Sequence, residues 1–204
     1  MADREPNHPI RVYRDDGPLA RWLGVLAGGQ IPPLLTAFAG AVVTLVLVLT
    51  GVSDLPGLTI ATPVVATLLA GLGGGARHDG RLDWLVPPIL RIAEYTFIAV
   101  VGLSSAAPRP VVYALLAAMA FHHYDLVYRV RQRIEPPGWV NLAGLGWDGR
   151  MLIVAVGALS GAEPVAYGVL AGYLWLLFAG ESVRSWLATP RQTDQTVDLE
   201  EEGA

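Results

Sequence analysis

The stretch Ile31-Pro-Pro-Leu-Leu-Thr-Ala-Phe-Ala-Gly-Ala-Val-Val-Thr-Leu-Val-Leu-Val-Leu-Thr-Gly51 contains no charged side chain. It has the length of a helix that crosses the hydrocarbon core of a bilayer, which needs roughly 20 apolar residues. The composition of the whole chain agrees, because 53% of its 204 residues are hydrophobic and 16% are charged, against about 25% charged in a soluble domain. We therefore expect an integral membrane protein.

Five further apolar stretches predict five further spans, at about residues 58–74, 82–103, 110–128, 151–159 and 164–186. A turn at 53–56 separates the first two spans, and Pro87-Pro88 either kinks the third span or marks its start. Residues 1–30 form an N-terminal segment that is amphipathic over 9–30 and is expected to lie along the membrane interface. Residues 189–204 form an acidic tail, expected to be disordered. The predicted fold is an all-α integral membrane bundle of six transmembrane helices (31–188) with an N-terminal interfacial helix.

The distribution of arginine predicts the orientation of the chain. All basic residues are arginines, and the predicted connections on one side of the membrane hold most of them, whereas the opposite loops hold Arg109. By the positive-inside rule, we expect both termini in the cytoplasm of a bacterial plasma membrane. The first 30 residues lack the apolar core of a cleaved signal peptide. The absence of cysteine excludes disulfides and thiolate metal sites, and no basic face points to nucleic acid.

Ionisable residues gather near the predicted cytoplasmic ends of five spans. Such residues are costly in a membrane unless they are paired or hydrated, so they are functional candidates. They are Arg77, His78, Asp79, Asp83, His122, His123, Asp125, Asp148, Arg150, Glu181 and Arg184. Their convergence predicts a polar, water-accessible cavity, although arginines at helix ends can equally snorkel and serve only to fix the topology.

Two pairs of residues inside the spans carry more specific expectations. His122 and His123 project in different directions from a helix, so we expect only one of them to face the cavity. Arg91 and Glu94 are three residues apart and share a helix face, about 12–16 Å beyond Asp83. They form either a structural ion pair or part of a substrate site.

The segment from Gly75 to Asp83 predicts a metal site. Asp79 and Asp83 are four residues apart, so a helix would place both carboxylates on one face. Paired carboxylates suit Mg²⁺ or Mn²⁺ with phosphate as a co-ligand, and the neighbouring arginines suit phosphate. A complete site needs further ligands, for which the candidates are Asp125, Asp148, Glu181 and a histidine.

Part of this segment resembles the CDP-alcohol phosphotransferase family, whose members have six spans, a cytoplasmic active site and an N-terminal interfacial helix. Gly75, Asp79 and Asp83 match the second half of the family motif, Gly-x-x-x-Asp-x-x-x-Asp, at the junction of spans two and three. The resemblance implies a CDP-alcohol phosphotransferase-like fold in which Asp83 is a general base and Asp79 binds metal. Leu58 and Ala61 stand where the first half of the motif requires aspartates, so this motif alone cannot form the family's two-metal site.

A second resemblance covers nearly the whole chain and is to the actinobacterial DUF5941 family of membrane domains. The segments that carry it are Val-Tyr-Arg-Asp-Asp-Gly-Pro (12–18), His-Asp-Gly-Arg-Leu-Asp-Trp-Leu-Val-Pro-Pro (78–88), Phe-His-His-Tyr-Asp (121–125) and Gly-Trp-Asp-Gly-Arg-Met (146–151). In that family the domain often follows nucleotidyltransferase and CDP-alcohol phosphotransferase domains. The resemblance therefore implies a link to phospholipid or phospho-alcohol metabolism.

The leading hypothesis is a membrane enzyme that acts at the cytoplasmic face on a phosphorylated or nucleotide-linked lipid precursor. Its general base is His123 or His122, since imidazole titrates near neutral pH, or Asp83. The remaining candidates are the Mg²⁺ or Mn²⁺ ligands Asp79, Asp83, Asp125 and Asp148 and the substrate ligands Arg81, Arg129, Arg150, Glu181 and Arg184. The alternative is a catalytically inactive scaffold or partner of another lipid-synthesis enzyme, and a transporter is the weaker third hypothesis. The expected partners are membrane lipid and either a second copy of the chain, as a homodimer, or a membrane enzyme.

Overall fold

The structure is a computed structural model that describes residues 8–50, 56–132 and 138–188. These ranges contain no strand, and their helices are α1 (His8–Arg14), α2 (Pro18–Leu26), α3 (Pro33–Leu49), α4 (Pro56–Gly71), α5 (Val86–Ser104), α6 (Arg109–Arg131), α7 (Gly138–Ala143), α8 (Gly146–Leu159) and α9 (Glu163–Ala188). The predicted acidic tail, and the predicted turn up to residue 55, lie outside the described residues.

Four stretches of the described chain are long and apolar enough to cross a membrane, namely Asp83–Ser104, Arg109–Arg131, Gly138–Leu159 and Glu163–Leu187. They correspond to α5, to α6, to α7 followed by α8, and to α9. The first two predicted spans are present as shorter apolar helices, Pro33–Leu49 and Leu58–Gly71. The prediction of an all-helical membrane protein is therefore confirmed at this level.

Helix boundaries differ from the prediction at three of the spans. The proline pair marks the start of the third span rather than a kink, because α5 begins at Val86 and its first turn leaves backbone N–H groups unpaired in any case. α4 ends at Gly71 instead of residue 74.

α8 begins at Gly146, before the predicted start at Met151. That prediction was wrong because the polar side chains at 148 and 150 are bonded within the protein, so the helix can begin before its apolar run.

Small side chains allow α3 and α4 to pack closely. α3 contacts α4 and α5, α6 contacts α9, and α8 contacts α4, α5 and α9. A Cβ atom added at Gly40 of α3 would lie 3.0 Å from the Cβ of Ala70 on α4. Such small residues let helix backbones approach in an apolar environment, where dispersion forces replace the hydrophobic effect between helices.

The predicted N-terminal interfacial segment contains two helices. α1 packs on α5 and α6, and α2 packs on α4 and α8. α2 exposes Trp22, Val25 and Leu26, as an interfacial helix would, and its position at the membrane surface stays a prediction. Both helices lie where α5 and α8 begin and where α6 ends, and we call this side of the molecule the arginine-rich end.

Candidate functional site

The turn between α1 and α2 brings an acidic pair onto the start of α8. Asp15 adopts a left-handed backbone conformation (φ 50°), which Asp tolerates better than most residues. Gly17 packs directly against the backbone at Gly146, and a Cβ atom at Gly17 would collide with the carbonyl oxygen of Leu145. The N–H of Trp147 donates to the carbonyl oxygen of Asp15 at 3.1 Å. The acidic turn is thus fixed to α8 through the backbone.

The side chain of Asp148 secures the same contact. Its carboxylate accepts hydrogen bonds from the backbone N–H groups of Gly17 at 2.6 Å and of Leu19 and Ala20 at 3.1 Å each. These donors belong to the N-terminus of α2, whose first N–H groups have no partner inside the helix. The predicted metal ligand Asp148 is therefore engaged as the cap of a helix that is distant in sequence.

Asp16 forms a second buried contact between the acidic turn and the helices. The Nε of Arg14 donates to its carboxylate at 2.7 Å, and the indole Nε1 of Trp147 donates to it at 2.9 Å. Arg14 also donates to the carbonyl oxygen of Ala70 at the end of α4, at 3.1 Å. Arg14 and Trp147 are both buried, so this contact joins α1, α4 and α8.

The strongest convergence of charge is a buried network of Asp15, Arg91, Glu94 and Arg150. The guanidinium of Arg150 donates to Glu94 and to Asp15, at 2.7 Å in both cases. Arg91 donates to Glu94 at 3.0 Å and lies 3.8 Å from Asp15. The predicted pairing of Arg91 with Glu94 is thus confirmed. Two positive and two negative charges meet, so the network is balanced when the neighbouring histidines are neutral.

Both histidines of α6 approach this network. The Nε2 of His122 lies 3.7 Å from one oxygen of Asp15, and the Nε2 of His123 lies 3.5 Å from the other. Both rings thus approach Asp15, which comes from a separate segment of the chain. The expectation that only one histidine faces the cavity stays a prediction, because neither is among the residues that line the polar cavity beside the acidic turn. His122 stacks on Phe178, with ring centroids 3.9 Å apart. The Nδ1 of His123 lies 2.9 Å from the hydroxyl of Tyr95.

A polar cavity of about 310 Å³ lies beside the acidic turn. We call it the junction cavity, and its lining residues are Arg11, Val12, Asp15, Asp16, Arg21, Gly74 and Asn141. Asp15 therefore contributes both to the cavity wall and to the contact with the histidines. None of the ionisable residues whose convergence predicted a polar cavity lines this one, whose wall comes mainly from the N-terminal helices and the turn between them. The cavity expected at the converging span ends stays a prediction.

A second charged cluster joins α6 to α9. Arg129 donates to Asp125 at 2.6 Å and to Glu181 at 3.1 Å, and the hydroxyl of Ser182 donates to Asp125 at 3.2 Å. Arg129 is buried, and one further bond at 2.9 Å links it to Ser185. The predicted ligands Asp125, Arg129 and Glu181 are thus brought together, and in the described contacts they pair with one another.

The remaining predicted site residues do not join either cluster. Asp79, Arg81 and Arg184 are exposed. Asp83 accepts a hydrogen bond from the N–H of Gly80 at 2.9 Å. Residues 77–82 are not helical and Asp83 begins a 3₁₀ turn, so the helical spacing assumed for Asp79 and Asp83 was wrong. Within the described ranges, no group of three or more His, Asp or Glu side chains is placed to hold a metal ion. The predicted Mg²⁺ or Mn²⁺ site at these carboxylates therefore stays a prediction.

Among the groups outside the spanning helices, Asp15 and His78 have shifted pKa values that bear on the charge of the site. Burial alone would raise the pKa of the Asp15 carboxyl, but the charge of Arg150 and the two histidines outweigh burial and hold it well below its ordinary value of 3.8. Burial lowers the pKa of His78 from its ordinary 6.5, and the charge of Arg14 acts in the same direction. Near pH 7, Asp15 is therefore ionised and His78 is neutral.

Sequence reasoning missed Asp15, Asp16 and Tyr95 as site residues. The sequence Asp15-Asp16-Gly17-Pro18 combines two acidic residues with a turn signal directly before a helix. That pattern predicts a turn, but it cannot show that the turn is buried. Tyr95 carries no sequence signal beyond its position next to Glu94.

No curated protein and no solved structure matches the chain. The family comparison gives a match over residues 8–203, which includes the acidic turn, both histidines and the start of α8. The chain therefore belongs to DUF5941, a family of unknown function.

Proposed function

We propose that this chain is a membrane enzyme of phospholipid or phospho-alcohol metabolism, acting on a phosphorylated or nucleotide-linked lipid precursor in the manner of a CDP-alcohol phosphotransferase. In this proposal α3 and α4 complete a six-span bundle, and both termini lie in the cytoplasm of a bacterial plasma membrane. The arginine distribution supports this orientation. The arginine-rich end is then the cytoplasmic face, where water-soluble co-substrates are accessible.

One observation carries the proposal: two imidazoles face a single buried carboxylate beside a polar cavity. His122 and His123 lie 3.7 and 3.5 Å from Asp15, and Asp15 lines the junction cavity. A carboxylate beside an imidazole holds the ring N–H and orients the ring, so either histidine is placed to accept a proton from a hydroxyl nucleophile. Distances somewhat longer than a good hydrogen bond are common before a substrate is bound.

The contact with Tyr95 makes His123 the better candidate for the general base. Its Nδ1 meets the Tyr95 hydroxyl and its Nε2 faces Asp15, so both ring nitrogens have defined neighbours. A hydroxyl that donates to Nδ1 leaves the remaining ring proton on Nε2, where it points at the carboxylate. The basic lone pair of the ring then lies on Nδ1, so a proton removed from the nucleophile would reach it through the Tyr95 hydroxyl, which takes that proton as it gives its own to Nδ1. Asp15 is the residue that positions the ring, because it faces the proton on Nε2.

Turnover by the purified protein tests this proposal. The protein would be reconstituted in liposomes with CDP-linked lipids and small alcohols or alcohol phosphates, and release of CMP would be followed. Removal of a general base lowers the rate by about 10²- to 10⁴-fold, so we expect that loss in His123→Gln. Arg109→Gln, at the opposite end of the bundle, is the matched control. Wild-type turnover that persists unchanged in His122→Gln and His123→Gln would contradict the proposed base.

A second candidate function is an inactive scaffold for another membrane enzyme. It is favoured by the contacts of the predicted ligands, because Asp148 caps α2 and Asp125 pairs with Arg129. A scaffold would show no turnover, and it would co-purify from native membranes with an enzyme whose activity falls when the chain is absent. Turnover by the isolated chain would exclude this candidate.

A further inference from the structure

We propose that the junction cavity binds the phosphate group of a small phosphorylated alcohol or lipid headgroup through Arg11 and Arg21. This inference rests on the proposed function, and it assigns the phosphate subsite to residues of α1 and α2. The sequence instead suggested Arg81, Arg129 and Arg150 as arginines that bind the substrate. Arg129 and Arg150 are buried and engaged with carboxylates, so the cavity offers a different pair of cations.

The charge of the cavity lining favours an anion. The two acidic residues of the lining are each paired with a buried arginine, Asp16 with Arg14 at 2.7 Å and Asp15 with Arg150 at 2.7 Å. In the described part of the chain, no carboxylate forms an ion pair with Arg11 or Arg21. The positive charges of these two side chains are therefore not paired with a described carboxylate, which favours an anion in the cavity.

The geometry of Arg21 also suits phosphate. Its Nε donates to the main-chain carbonyl oxygen of Asp16 at 2.7 Å, which fixes the guanidinium against the acidic turn. The two terminal nitrogens then remain for a ligand. A guanidinium that is oriented in advance can donate two parallel hydrogen bonds to phosphate oxygens.

Asn141 supplies a further polar group to the cavity wall. Its side-chain oxygen is buried and has no hydrogen-bond partner among the described residues. Because the oxygen and nitrogen of an amide exchange places when the group turns by half a rotation, this side chain can present its NH₂ group to an anion. Turned in this way, the amide would donate a hydrogen bond to a bound phosphate oxygen.

The size of the cavity limits what the phosphate can carry. Ligand pockets commonly measure about 300–1,000 Å³, and the junction cavity, at about 310 Å³, lies at the lower limit. It accommodates a phosphate with a small alcohol attached, such as a glycerol phosphate or the headgroup of phosphatidic acid. A complete nucleotide diphosphate alcohol would have to place its base elsewhere.

Binding measurements with two kinds of probe test this inference. In detergent, inorganic phosphate and glycerol 3-phosphate would be titrated by calorimetry, with sodium chloride at equal ionic strength as the reference. In nanodiscs, retention of phosphatidic acid over phosphatidylcholine would be measured by native mass spectrometry. Binding in the first arm identifies a soluble phosphate ester as the ligand, and selective retention in the second identifies a lipid headgroup.

Charge-neutral variants assign any binding to the cavity. Arg11 and Arg21 are exposed, so Arg11→Gln and Arg21→Gln should fold, which their melting temperatures would verify. We expect each variant to weaken binding by roughly 10- to 100-fold, since each removes charge-assisted hydrogen bonds, and Arg109→Gln to bind like the wild type. Wild-type affinity in the double variant, or no wild-type binding in either arm, would overturn the inference.

The outcomes also separate this inference from the proposed function. Phosphate binding that requires both arginines, in a protein without turnover, supports the site and argues against the enzyme. Turnover that depends on His123 but is unaffected by Arg11→Gln/Arg21→Gln supports the enzyme and overturns the assignment of the phosphate subsite.

Discussion

Replacing Arg150 with methionine would leave the carboxylates of Asp15 and Glu94 facing each other across the space that the guanidinium now fills. Arg150 contacts both at 2.7 Å, and its side chain has no exposed surface. Methionine has a similar length and is apolar, so packing is largely kept while the charge is lost. The two carboxylates would then depend on Arg91, which lies 3.0 Å from Glu94 and 3.8 Å from Asp15.

The expected loss of stability is large. Removing one partner from a buried ion pair costs about 3–5 kcal/mol, because the remaining charge stays buried without compensation. Two carboxylates are affected here and Arg91 offsets part of the loss, so we expect Arg150→Met to cost about 3–5 kcal/mol. For a chain of this size, that corresponds to a melting temperature lower by roughly 6–20 °C. The double variant Arg150→Met/Glu94→Gln should recover part of the loss, since one uncompensated charge is removed.

Reversible unfolding in mixed detergent micelles would measure these differences. Arg109→Met is the matched control, because Arg109 is exposed at the opposite end of the bundle, and it should unfold like the wild type. Equal unfolding midpoints for Arg150→Met and Arg109→Met would refute the reasoning. A double variant less stable than Arg150→Met would show that burial of charge is not the cause.

Three further predictions concern the acidic turn and its surroundings. The pKa of Asp15 is lower in the folded protein than in the unfolded chain, so its ionised form stabilises the fold fully above pH 3.8, and this stabilisation is lost as the pH falls through the folded-state pKa. The melting temperature of Asp15→Asn should therefore depend less on pH in that acid range than the melting temperature of the wild type. The pKa of His78 is lowered in the folded protein, so as the pH falls through 6.5 the unfolded chain binds a proton before the folded protein does. This proton uptake favours unfolding and lowers the melting temperature, and His78→Gln should remove that decrease. Gly17→Ala should cost about 1–3 kcal/mol in unfolding free energy, because its Cβ would meet the carboxylate of Asp148, whereas Gly172→Ala, which has open space around its added Cβ, should not be destabilising.

The elements that sequence reasoning predicted well are those whose signal is local. Each of the predicted spans corresponds to an apolar helix, because a run of apolar side chains sets the length of a membrane helix wherever it occurs. The pairing of Arg91 with Glu94 follows from their spacing on one helix. Neither prediction needs any knowledge of how the helices are arranged.

The site was harder to predict, because its central residue is separated from its partners by most of the chain. Asp15 lies in a segment that reads as an interfacial helix, where an acidic residue is expected to be hydrated. Its burial depends on Gly17 and Gly146, which permit the acidic turn to touch α8. The prediction that Asp79 and Asp83 share one helix face failed for a different reason. It assumed the spacing of side chains on a helix, but Asp79 lies in a loop.

The contact between Asp15 and Arg150 also sets an order of events during synthesis. The two residues are 135 positions apart, so at about 5–20 residues per second the ribosome needs roughly 7–27 s to make the second after the first. Glu94 is also made before Arg150, so during that interval neither carboxylate has Arg150 as its partner. The start of α8 supplies contacts that hold the turn between α1 and α2, so we expect a chain that stops before residue 146 to leave its N-terminus accessible to proteases.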